Sequence, residues 1–137
     1  SFGYFPRDED NQRALGEWHR ALKPQGCLVI DFFNAAVVVR NLVAFSEMQE
    51  GPQTVIQERS LSKDGLRVEK RIRISNADAL TTPPKEFFES VRLFSRNDLH
   101  RLLEQAKFKV EKEFGEFDGT AWNEDSPRLI IFARKNE

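Results

Sequence analysis

Cysteine is nearly missing from this chain. Cys27 is the only one in 137 residues, so no intrachain disulfide can staple the fold, and a reducing, cytoplasmic setting is expected. Histidine is limited to His19 and His100. Neither has metal-ligand spacing to other candidate ligands, so no metal site is expected. Nothing in the sequence places them beside Cys27 as a nucleophile–base pair. No apolar run approaches the roughly 20 residues that a membrane-spanning helix needs. A surplus of one charge is also lacking. The 21 basic residues are interleaved with 22 acidic ones for a net charge of -1, which provides no footprint for nucleic acid or an anionic membrane surface. The seven glycines include no Gly-x-Gly turn of the kind that follows a strand and cradles a nucleotide. The first residue is Ser1 rather than Met, and the expectation is a piece of a longer protein.

What is present reads as one globular domain. Hydrophobic residues make up 39% and charged ones 31%, and a chain of this length buries roughly two-thirds of its unfolded surface. Residues 8–22 form a helix, with Asp8 and Asp10 at its positive end and Ala14, Leu15, Trp18, Ala21 and Leu22 along one stripe. Lys23-Pro24-Gln25-Gly26 stops it. Cys27 to Phe33 is a nearly continuous apolar strand, a pattern that suits a parallel strand covered on both faces. A second helix spans 35–46, although Val37, Val38 and Val39 weaken it.

The texture then changes. Strands at 54–62 and 66–75 flank Lys63-Asp64-Gly65, a hairpin signal, since Asp-Gly accepts positive φ. Leu66, Val68, Ile72 and Ile74 share one face, and Arg67, Glu69, Arg71 and Arg73 the other. Glu86 to Phe94 adds a third strand. Ser95-Arg96-Asn97-Asp98 is a capping box with Asp98 in the usual Glu place. The helix behind it turns Leu99, Leu102, Leu103 and Ala106 inward. Phe108–Phe114 and Arg128–Arg134 close the chain as strands around a loop at 115–127.

Three features now stand together. The loop Ser1-Phe2-Gly3-Tyr4-Phe5 leads into an acidic helix start. Leu22-Lys23-Pro24-Gln25-Gly26 then leads into an apolar strand, and the element order follows. Together they resemble the C-terminal part of a class I, Rossmann-like S-adenosylmethionine-dependent methyltransferase. Two departures accompany the resemblance: Gln25 stands for the first Gly of the family's Leu-Lys-Pro-Gly-Gly, and Lys107 for a Gly before Phe.

The resemblance implies an α/β fold: the C-terminal half of the methyltransferase sheet with an inserted three-stranded antiparallel sheet. It divides the chain into a helix and strand-five region at 1–46, the insertion at 54–94, and a terminal helix with a strand pair at 95–137. The final strand would run antiparallel between its neighbours. By the same resemblance the cofactor is S-adenosylmethionine, approached by Phe2 and Gly3, with its main grip in a Gly-rich turn upstream of Ser1. Tyr4, Asn34 and Arg92 are the residues for a small-molecule acceptor. Without the Gly-rich turn, the chain alone is expected to be inactive. The strand at Cys27–Phe33 would keep an unpaired edge, and a homodimer or strand-swapped assembly through it is expected.

Each of these residues also has a plainer role. Tyr4 orients an acceptor or packs beside Phe2 and Phe5. Asn34 touches substrate or caps the helix that follows it. Arg92 binds an anionic group or belongs to a solvated sheet face. Asp31, in an otherwise apolar strand, must be paired, lie at the strand's mouth, or be functional. His19 and His100 fall on solvent flanks of their helices. Residues 118–122 close over a pocket or simply connect strands. The alternative to an enzyme is a non-catalytic α+β binding module whose working face is the sheet at 54–94.

Overall fold

A computed structural model describes residues 1–77 and 82–137; residues 78–81, within the expected insertion, lie outside the described residues. The chain divides into two compact units, Ser1–Arg40 with Phe94–Glu137, and Asn41–Leu93.

In the first unit, α1 (Asp8–Ala21) carries Asp8, Glu9 and Asp10 in its first turn, where carboxylates oppose the helix's positive end. It stops as Lys23-Pro24 leaves the helical path. Gly26 N–H bonds Lys23 C=O at 2.8 Å, and Gln25 takes a φ of 64°. That left-handed conformation costs a non-glycine residue about 1–2 kcal/mol, which explains a Gly at this place in the family's motif. Lys107 behaves alike, with a φ of 63° between α3 (Arg96–Gln105) and β6 (Phe108–Phe114).

The sheet of this unit has the order β1 (Cys27–Phe33), β7 (Arg128–Lys135), β6. The last strand in sequence therefore lies in the middle, antiparallel to both neighbours, as the resemblance implies. Leu129, Ile130, Ile131 and Ala133 of β7 are all buried, as are Leu15 of α1 and Leu99 and Leu103 of α3. The capping box of α3 forms as expected: Ser95 Oγ accepts from Asp98 N–H, and the Asp98 carboxylate accepts from Ser95 N–H.

The strand β1 departs from expectation. Its burial alternates, with Ile30 and Phe32 inside and Cys27, Val29 and Asp31 exposed. Among the described residues its one partner is β7, and that pairing is antiparallel. Continuous apolarity signalled two covered faces, but among the described residues only the face carrying Ile30 and Phe32 is buried.

The second unit is an antiparallel meander, β2 (Phe45–Glu50), β3 (Gln53–Leu61), β4 (Arg67–Asn76) and β5 (Lys85–Arg92). Four strands replace the expected three. The helix expected over 35–46 is also shorter, because α2 ends at Arg40 and Phe45 onward pairs with β3. Phe-Ser-Glu-Met-Gln-Glu has little intrinsic strand preference. The tight Gly51 turn, at a φ of 58°, returns the chain and the ladder to β3 makes it a strand. The Ser62–Leu66 turn follows its sequence signal: Asp64 Oδ1 accepts from Leu66 N–H at 3.0 Å, and Gly65 has a φ of 73°.

Candidate functional site

The first five residues are held in one conformation by α1. Tyr4 N–H bonds Ser1 C=O at 3.0 Å, and Gly3 takes a φ of 87°, a turn conformation in which a side chain would be strained. Gly3 N–H then donates to Asn11 Oδ1 at 2.7 Å. Asn11 is fully buried, and such a bond is worth more than an exposed one because the alternative is an unsatisfied amide away from water.

Phe2, beside this turn, stacks on Phe94 with ring centroids 5.5 Å apart. It also meets Trp18 at 5.8 Å and Phe32 at 6.3 Å. These rings gather near the carboxyl end of β1. A cavity of about 450 Å³ is lined by Phe2, Trp18 and Leu22 together with residues 28–32 of β1. Of the first five residues, Phe2 contributes to its wall. Tyr4 stands half exposed at 50%.

Asn34, next along the chain from β1, does stitching work. Its Nδ2 donates to Ser126 C=O at 2.9 Å and Glu124 C=O at 3.2 Å, tying the loop at 115–127 to β1. Its own C=O accepts from Val38 N–H at 3.0 Å, opening α2. A second cavity of about 420 Å³ lies here, with Asn34, Arg40, Arg96, Asn97 and Trp122 in its wall. Asp31 is paired, its Oδ1 accepting from Arg128 Nε at 2.7 Å. That is the structural option among those its sequence setting left open.

Arg92 belongs to the second unit. There its guanidinium donates to Leu66 C=O at 3.2 Å and Leu93 C=O at 3.4 Å, bracing the end of the β4–β5 ladder. Of the five expected site residues, the structure brings Phe2, Gly3 and Tyr4 together in one turn. It sets Asn34 just past β1 and gives Arg92 backbone partners in its own unit.

Sequence reasoning missed two features. Asn11 falls four residues before Leu15 on the buried stripe of α1, and a polar residue on an apolar stripe was the available signal. The other is the cluster at Glu113, which takes a bidentate bond from Arg96, at 2.7 Å for the shorter arm, and a bond with His100 Nε2. Arg96 in turn lies 5.1 Å from the ring centre of Trp122, within cation–π range. His100 is therefore engaged rather than free on a solvent flank. His19 is likewise half-buried, with Nε2 3.0 Å from Asn136 C=O. Among the described residues no group of His, Cys, Asp and Glu could hold a metal ion, and no helix is long and apolar enough to cross a membrane.

Burial raises the Glu113 pKa, but the bonds from Arg96 and His100 together outweigh it and hold the carboxyl below its ordinary range.

Comparison with known proteins gives the fold its context. No protein-family model and no curated protein matches the sequence. Among solved structures, an S-adenosylmethionine-dependent methyltransferase from Clostridium acetobutylicum superposes with a TM-score of 0.84 at 12% identity, over 100% of this chain and 55% of that one. The CcbJ methyltransferase of Streptomyces caelestis gives 0.81 at 11%, over 98% and 57%. An amino pentose methyltransferase from Micromonospora echinaspora with S-adenosylmethionine bound gives 0.58 at 16%, over 98% and 54%. The chain thus has the fold of an S-adenosylmethionine-dependent methyltransferase over its whole length, and spans a little more than half the length of these structures.

Two outcomes are expected. Asn11→Ala leaves Gly3 N–H without its buried acceptor and lowers unfolding stability by about 1–3 kcal/mol; a chemical melt matching the parent's would refute the anchor. The second concerns pH. Because the folded Glu113 value lies below the unfolded one, its stabilisation is complete above the ordinary carboxylate range near pH 4.3 and is lost as pH falls through the folded value. Glu113→Gln should therefore flatten the acid limb of stability against pH, and parallel limbs for the two proteins would reject this account.

Proposed function

We propose that this chain is the C-terminal part of an S-adenosylmethionine-dependent methyltransferase acting on a small-molecule acceptor. One observation carries the reading. A buried asparagine holds a glycine turn beside the ring cluster of Phe2, Trp18, Phe32 and Phe94, in a chain whose whole length shares the methyltransferase fold. In an open α/β sheet, ligands lie at the carboxyl ends of the strands, next to a change in strand order. The turn at Gly3 and the rings of Phe2, Phe32 and Phe94 gather at such an end.

The residues present fit one wall of a cofactor site. Phe2 offers a ring face, and Gly3 offers backbone unobstructed by a side chain. Asp31 is engaged with Arg128, so the carboxylate for a ribose would come from the remainder of the fold, as would the Gly-rich turn. Bound there, the cofactor supplies an electrophilic methyl on a sulfonium. The protein's share is positioning: an acceptor lone pair must lie in line with that methyl at near-attack distance, and effective molarity gained this way lowers the barrier by several kcal/mol. Tyr4 and Asn34 are assigned to the acceptor side.

The same reading assigns the free edge of β1. It receives a parallel strand from the rest of the methyltransferase fold, and without one it pairs with a second copy of the chain. The N–H of Val29 faces that edge, because the even-numbered neighbours in β1 and just outside it bond β7, as with Gly26 C=O to Lys135 N–H and Asn34 N–H to Pro127 C=O.

Calorimetric titration with S-adenosylhomocysteine tests the function. A polypeptide that joins this chain to a Gly-rich cofactor-binding half should saturate with micromolar affinity, about -8 kcal/mol, and weaken on Gly3→Val, while the 137-residue chain alone should give no saturable heat. Binding by the chain alone would overturn the need for the other half; no binding by the joined polypeptide would overturn the enzyme reading and favour a binding module. Sedimentation tests the edge: Val29→Pro, which removes an outward N–H, should reduce self-association of the isolated chain, and an unchanged profile would count against it.

A further inference from the structure

The second unit has an open edge of its own. Among the described residues β5 is the end strand of the meander, and Phe87 and Phe88 are 51% and 64% exposed on it. The ladder fixes which of its backbone groups are unused. Leu93 N–H bonds Leu66 C=O at 2.8 Å, so odd-numbered residues of β5 face β4 and even-numbered ones face outward, by the alternation of an antiparallel ladder. Arg67 donates to Ser90 C=O at 3.0 Å, occupying an outward carbonyl near that end. The stretch left open is Lys85–Glu89, with Glu86 and Phe88 presenting both N–H and C=O.

We propose that this stretch is a self-association edge, on which two copies of the chain pair β5 with β5 antiparallel about Phe87. A two-fold axis makes the surface its own complement, so residue and partner exchange roles. With Phe87 opposite Phe87 of the partner subunit, Lys85 lies opposite Glu89 of the partner subunit and Glu89 opposite its Lys85. All three share one face of the strand. Glu86 and Phe88 then face one another across the axis as hydrogen-bonded pairs, using the outward groups.

Other registers are poorer. A one-residue slip sets outward groups against inward ones, which breaks the ladder. A two-residue slip one way sets Glu86 against Glu86; the other way sets Phe88 against Phe88 but moves Lys85 opposite Val91 and Phe87 opposite Glu89, so both Lys85–Glu89 pairs are lost. Like charges directly opposite destabilise a pair, and aromatic or opposite-charge pairs stabilise it. The opposite edge of the same sheet, β2, is Phe-Ser-Glu-Met-Gln-Glu, acidic without a balancing base, and lacks this self-complementarity. Existing contacts leave the pairing intact: Glu89 is 3.6 Å from Lys70 and Glu86 is 2.8 Å from Arg73, both within the meander.

Cross-linking reads the register directly. On a Cys27→Ser background, Phe87→Cys should form a disulfide-linked dimer under mild oxidation about tenfold faster than Phe88→Cys, because only the 87 pair has Cβ atoms within disulfide reach. Charge reversal tests the chemistry. In sedimentation, Lys85→Glu should lower the dimer fraction, and Lys85→Glu with Glu89→Lys should restore it, since the double exchange re-creates opposite pairs across the axis. Equal cross-linking rates at 87 and 88, or a double exchange no better than the single one, would overturn the proposal.

Discussion

The first unit depends on one insertion, the placing of the final strand between two that precede it. The strand β7 pairs with β1 on one side and β6 on the other, and four of its residues are buried. Without it neither neighbour has another strand to pair with among the described residues. Two lone strands with single apolar faces are marginal in water. Because β7 comes last in sequence, the ladder that holds β1 is closed by residues about a hundred positions away. Such long-range closure is slow to form, since loop entropy must be overcome before the contacts stabilise anything.

The same arrangement sets up the candidate site. Pairing with β7 fixes β1 in register, and Asn34 just beyond it then clasps the loop that leads into β7. On the other side, α1 carries Asn11 to the glycine turn and Trp18 to the aromatic cluster. The turn at Gly3 is therefore rigid because a helix and a strand approach it together. If the proposed methyl transfer gains mainly from alignment, such rigidity is the useful property.

Local signals served well wherever a short stretch of chain decides its own conformation. The Asp64-Gly65 turn, the capping box at Ser95 and the stop at Lys23–Gly26 were all legible, since each satisfies its hydrogen bonds within a few residues. The strand at Phe45–Glu50 was not, since its partner β3 rather than its composition makes it a strand. The Glu113 cluster was equally hidden: Arg96 and His100 lie one turn apart on α3, but the carboxylate between them comes from β6, and no spacing rule connects the two. Asn11 was half legible. A polar residue on an apolar stripe marks a buried hydrogen bond, and only the fold could say that its partner is Gly3 N–H.

The sequence by itself determined the element types over most of the chain and carried the likeness to a methyltransferase half, and only that resemblance implied the central place of the last strand. It could do so because apolar periodicity, turn chemistry and a few loop residues act over short distances. Tertiary structure alone decided that β1 buries one face instead of two, that Asp31 pairs with Arg128, and that Asn34 clamps a loop. Each of these outcomes depends on which distant residue arrives alongside, and free energy of that kind is set by packing and partner geometry that local patterns do not encode.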